Sequence, residues 1–199
     1  MSIVEELRAA GPRLTKRVMD EMYRDPFWME RYGERGRQSS DADNDFHIKY
    51  LTTAIEGEDP ALFVTYARWL RDLLVAHGMC SQHLVENFER LSNAIAEETW
   101  ADREKAIQIL LGGAEGLRYT TGDAAVIDEN RVAWRTQLGD HGDHLLSYLA
   151  DALVTKQRSG FDAYVALLSR SAAMAATLAA IVSLPGMPIA AIELVEGYR

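Results

Sequence analysis

Four of the five histidines in this chain fall in two short clusters, and these are the first places to look for chemistry. The stretch GDHGDH, Gly139 to His144, holds two acids and two histidines. On a helix the three- and four-residue spacings put Asp140, His141 and His144 on one side. Imidazole and carboxylate together suit a transition metal such as iron, zinc or manganese. A complete site would need further ligands from facing helices, as in di-iron bundles with paired Glu-x-x-His motifs. The chain has neither that motif nor His-Glu-x-x-His. The plainer reading is a helix start with an Asp140–His144 hydrogen bond.

The second cluster is HGMCSQH, His77 to His83. His77, Cys80 and His83 are soft or borderline metal ligands. A nucleophilic cysteine would want a histidine to hold its thiolate. Cys80 also precedes Leu84 by one helical turn, which points instead to a buried thiol. A third set is aromatic: His47, Tyr50, Phe63, Tyr66 and Trp69, with Tyr148, Phe161 and Tyr164 further on. Such a stripe reads first as core, yet buried tyrosine hydroxyls need partners. A pocket lined by His47, Tyr50, Phe63, Tyr66, Trp69, Tyr148 and Tyr164 would suit a small, flat hydrophobic ligand between helices. A tetrapyrrole held by His47, His77 or His83 as axial ligand is another possibility.

Helices must position these groups. EDPALFVTYARWLRDLLVAHG is the clearest: Asp59 caps, Pro60 opens the first turn, and Gly78 stops the run. Leu62, Phe63, Tyr66, Leu70, Leu73 and Leu74 form its apolar stripe. Further helices are expected over about 40–56, 81–97, from a cap at Thr99 to Gly112–Gly113, 124–155, 160–182 and 187–197. Two or three more fill the first 36 residues, punctuated by Pro12 and Pro26. No strand pattern of useful length appears.

Shifting the chain by 98 residues aligns DFHIKYLTTAIEGEDPALFVTYARWL with DHLLSYLADALVTKQRSGFDAYVALL without gaps. Arg37/Arg135, Asp45/Asp143, Tyr50/Tyr148, Leu51/Leu149, Ala54/Ala152, Phe63/Phe161, Tyr66/Tyr164 and Leu70/Leu168 are then identical pairs. The register predicts an internal duplication: an all-α helical bundle of about eight helices in two similar four-helix halves, 1–98 and 99–199, packed as one compact unit. It also aligns His144 with Phe46, which lies on a stripe with Tyr50 and Ala54. By that analogy Phe46 and His144 both face inward.

Composition narrows the classes. Of 199 residues, 48% are hydrophobic, enough for a sizeable core, and the formal charge is -9. No run of basic residues is present, so a nucleic-acid partner is not expected. A single cysteine excludes an internal disulfide framework and fits a reducing, cytoplasmic setting. The N-terminus lacks the layout of a signal peptide. The uncharged run from Ser171 to Ile192 is long enough to span a bilayer, but Pro185, Gly186 and Pro188 break it, so no membrane span is expected.

The segment RYGERGRQSSDADNDFHIKYLTTAIEGEDPALFVTYARWLRDLLVAHGM resembles the helical modules that accompany cobalamin-binding and related sensory domains of bacterial regulators. Asp45, His47, Tyr50, Leu51, Phe63, Tyr66, Trp69 and Leu70 carry the likeness. The resemblance implies a sensory or regulatory helical module. The Asp-x-His-x-x-Gly motif of the cobalamin-binding domain is absent, so no cobalamin ligand carries over. The combined expectation is a non-enzymatic sensor or protein-interaction module, with a protein partner or self-association and room for a small hydrophobic ligand. The alternatives are a metal-dependent helical-bundle enzyme using Asp140, His141 and His144, or a tetrapyrrole-binding protein.

Overall fold

The computed structural model describes residues 1–139, 141–169 and 172–198, apart from the side chains of 39–44 and 172–173. The described residues form ten helices and no strand: α1 (Ile3–Met22), α2 (Pro26–Glu56), α3 (Pro60–Ala76), α4 (Ser81–Ala96), α5 (Arg103–Glu115), α6 (Gly122–Leu138), α7 (Gly142–Thr155), α8 (Ser159–Leu168), α9 (Ala172–Val182) and α10 (Ile189–Glu196). The all-α expectation holds. The count of about eight helices does not, because several expected helices divide differently.

The reasons are local. The helix expected over 124–155 breaks at Gly139, whose φ of 73° separates α6 from α7. That backbone favours glycine. The helix expected over 160–182 is two, α8 and α9. Conversely, Pro12 does not end a helix: α1 runs through it, with the Thr15 hydroxyl donating to the Gly11 and Pro12 carbonyls. Burial of Leu7, Leu14 and Val18 on either side outweighs the roughly 3 kcal/mol that an interior proline costs. Pro26 opens α2 as expected, capped by the Asp25 carboxylate, which accepts from the Phe27 N–H at 2.9 Å. A single non-helical residue, Gly33, kinks α2. Thr99 is not a cap, since α5 begins only after Asp102, and Gly112 and Gly113 lie inside that helix.

Other expected features hold. Asp59 caps α3, its Oδ1 accepting from the Ala61 N–H at 3.1 Å. Leu84, Phe88, Leu91 and Ile95 are buried along α4. Among the described residues no helix is long and apolar enough to cross a membrane.

The chain forms two compact units. The first comprises Met1–Trp69 with Leu84–Leu117, the second Leu70–His83 with Arg118–Arg199. The boundaries therefore pass through α3 and α4. In the first unit, Leu51 and Ala54 of α2, Phe63 of α3, Phe88 of α4 and Leu110 of α5 are fully buried or nearly so. At Gly113 of α5 the helix lies close against α3: a Cβ there would stand 2.5 Å from Phe63 Cε1. The second unit has its own core of Leu145, Leu146, Tyr148, Leu149, Phe161, Tyr164 and Ile181.

Candidate functional site

In the first unit the aromatic residues assemble around His47. Its Nδ1 shares a 2.7 Å hydrogen bond with the Tyr66 hydroxyl, and its ring meets Phe88 edge-on at 5.1 Å. Burial pushes the His47 pKa down to about 3, so the ring is neutral at pH 7. It acts as the hydrogen-bond partner that a buried tyrosine requires. Tyr50, one turn beyond His47 on α2, stacks on Tyr66 at 4.0 Å with an 11° interplanar angle. Phe63 packs against both Tyr66 and Phe88. This mount fixes Tyr66 from three sides.

Beside it lies an open cleft of about 550 Å³, lined by Tyr50, Asp59, Ala61, Leu62, Thr65, Tyr66 and Trp69. Trp69 is 58% exposed, so its ring is open to the cleft. Its ring lies 6.3 Å from that of Tyr66. The cleft volume falls in the range that holds small organic ligands. Of the candidate ligand-binding residues, Tyr50, Tyr66 and Trp69 line this cleft, whereas His47 and Phe63 are buried behind it. Asp59, Leu62 and Thr65 belong to it as well. Asp59 is visible in the sequence only as a helix cap.

Tyr148 and Tyr164 belong to the second unit and form a pair of their own, 4.9 Å apart and tilted by 30°. Both are buried, so they line no open surface. The Tyr164 hydroxyl lies 3.3 Å from His141 Nδ1 and 3.4 Å from His144 Nδ1. His83 joins them from the start of α4, its ring 4.7 Å from His144 and 5.8 Å from Tyr148. The two histidines of GDHGDH therefore meet at a tyrosine hydroxyl. Asp140 lies outside the described residues. Asp143 turns away to pair with Arg135 at 3.1 Å. Among the described residues, no three His, Cys, Asp or Glu side chains are arranged to hold a metal ion.

The inward-facing analogy needs correction. Phe46 is half exposed, and the buried residue at that turn of α2 is its neighbour His47. His144 is partly buried because His83 and Tyr164 cover it, not because the register placed it in a core position. The HGMCSQH cluster disperses. Exposed His77 shares a 2.8 Å hydrogen bond with the Leu73 carbonyl through Nδ1, Cys80 is buried, and His83 turns toward His144.

One polar centre was not singled out from the sequence. Asp151 of α7 is buried and accepts from the Ser81 N–H at 2.8 Å, from the Ser81 hydroxyl, and from the Tyr119 hydroxyl at 2.7 Å. Desolvation raises its pKa against the lowering effect of these donors. It also raises the Tyr119 pKa, with the Asp151 charge adding to it. Nearby, Asp128 accepts from the Tyr119 N–H at 2.7 Å and pairs with Arg131, whose Nη1 donates to Gln82 Oε1 at 2.8 Å. The signal was available: a lone carboxylate in the apolar run LLSYLADALV. Such a charge is buried only when several donors meet it. Here two of the donors, both from Ser81, open the first turn of α4, and the third, from Tyr119, comes from the segment before α6.

No family model, curated protein or solved structure matches this chain.

Proposed function

We propose that this protein is a non-enzymatic sensor module that holds a small hydrophobic molecule in the cleft of its first unit. The observation that carries the reading is the exposed Trp69 beside a rigidly mounted Tyr50–Tyr66 stack, in a cleft of about 550 Å³. The His47 hydrogen bond and the Phe88 contact preorganise Tyr66, which lowers the ordering cost of binding. The resemblance to helical modules of bacterial regulators is what makes the bound molecule a signal in this reading. A protein partner or a second copy would then read the occupied state.

The aligned tyrosines support an internal duplication as the origin of the arrangement. Tyr50 with Tyr66 and Tyr148 with Tyr164 are aligned pairs, and each is a ring–ring contact within its own unit. The aligned positions differ where binding would matter. Trp69 and Asp59 correspond to Leu167 and Gln157. The second unit's tyrosines are covered by histidines. In this reading one copy keeps an open site and the other has closed it.

The test is titration with N-phenyl-1-naphthylamine, a neutral aromatic probe that brightens in apolar surroundings. Saturable brightening is expected, abolished in Trp69→Ala and Tyr50→Ala and retained in His141→Ala with His144→Ala. No saturable response, or one indifferent to Trp69, overturns the proposal. So does a visible chromophore or a stoichiometric metal in the purified protein that is lost with His141 and His144.

A further inference from the structure

The cleft's lining carries more than hydrophobicity. Three aromatic residues, Tyr50, Tyr66 and Trp69, meet a single charged side chain, Asp59, and no lysine or arginine lines it. From this juxtaposition we infer that the cleft selects organic cations, of the quaternary or aromatic type, over neutral or anionic molecules of the same shape. The inference rests on the proposed binding role of the same cleft.

The physics favours that class for three reasons. Aromatic faces are electronegative and attract a cation lying over them, tryptophan most strongly. Trp69 is the most accessible ring here, and Tyr50 is half-buried. Second, the Asp59 carboxylate supplies a full negative charge at the rim. It uses Oδ1 to accept from the Ala61 N–H. The α3 N-terminus behind it contributes roughly half a positive charge, which the carboxylate exceeds. Third, of the remaining walls Ala61 and Leu62 are apolar, and Thr65 commits its hydroxyl hydrogen to the Ala61 carbonyl. A strongly hydrated primary ammonium would regain only part of its lost hydrogen bonds there, from Asp59 and the Thr65 oxygen, whereas a weakly hydrated quaternary nitrogen loses little. An anion would meet Asp59 and find no positive side chain among the lining residues.

The experiment compares 1-methylquinolinium, quinoline at pH 8 and 1-naphthoate, by quenching of tryptophan fluorescence and by calorimetry on the full chain. The cation is expected to bind about tenfold more tightly than neutral quinoline, the size of an exposed cation–π contact plus a screened carboxylate. The naphthoate is expected to be weakest. Asp59→Asn keeps an equally good helix cap, so the fold is preserved while the charge is removed. It should reduce the cation's advantage over quinoline severalfold. Raising the salt concentration should weaken only the cation. Equal binding of quinoline and its methylated cation, both lost in Trp69→Ala, overturns the selectivity while the ligand-holding role stands. Absence of binding by all three probes overturns both.

Discussion

Replacing Asp151 by alanine is the sharpest test of how the second unit is held together. The substitution strands three donors: the Ser81 N–H, the Ser81 hydroxyl and the Tyr119 hydroxyl. Hydrogen bonds to a charged acceptor contribute about 1.5–3 kcal/mol each, so the gross loss is about 4.5–9 kcal/mol. Removing the carboxylate also removes its desolvation penalty, several kcal/mol for a group so buried. The net expected destabilisation is about 3–5 kcal/mol, or about 6–20 °C in melting temperature for a chain of this length. Urea unfolding followed by circular dichroism measures it. A double-mutant cycle with Tyr119→Phe should show about 1–2 kcal/mol of coupling. The pH dependence has a definite sign. Because the folded carboxyl titrates above its unfolded value of 3.8, the folded state binds the extra proton. The stability this group contributes is complete below the unfolded pKa and declines as pH rises through the folded one. The gap between wild type and Asp151→Asn should therefore narrow from acid toward neutral pH. A loss below about 1 kcal/mol in Asp151→Ala, or no coupling to Tyr119, would refute the account of a closed donor set.

Other consequences are as direct. With a folded pKa of about 3 against the ordinary 6.5, neutral His47 contributes stability above pH 6.5 that is lost as the pH falls toward 3. His47→Leu should flatten that slope in urea titrations between pH 7 and 4, and the His47 ring should show no protonation by NMR at pH 5. Gly113→Ala forces a methyl into the Phe63 ring and should cost about 1–3 kcal/mol, largely recovered by Phe63→Leu. Gly112→Ala, one residue earlier with nothing near its Cβ, should be stabilising by about 0.5–1 kcal/mol in the same assay. Trp69→Ala should leave the melting temperature nearly unchanged, because the ring is mostly exposed, while removing probe binding.

The local elements were legible because their causes are local. Asp59–Pro60 and Gly78 bound α3, Ser81 opens α4, and the Leu84–Phe88–Leu91–Ile95 stripe is the buried face. Three things were not. The break at Gly139 looks in sequence like any glycine in a helical run; its positive φ shows only in the folded chain. Phe46 and His47 are adjacent, and periodicity alone chose the wrong one as buried, because a one-residue rotation changes little in an apolar pattern but everything in what the face meets. His83 was grouped with Cys80 by proximity, whereas it packs on His144, sixty-one positions away.

The sequence by itself determined that this is a chain of amphipathic helices and where most of them start, since caps and stripes act within a few turns. Only the tertiary structure decided which faces are covered. It left Trp69 at an open cleft, placed Asp151 under the first turn of α4, and gathered His83, His141 and His144 around Tyr148 and Tyr164. A helical pattern specifies that a face must be buried, but the neighbour that buries it is chosen by the packing of segments far apart in the chain.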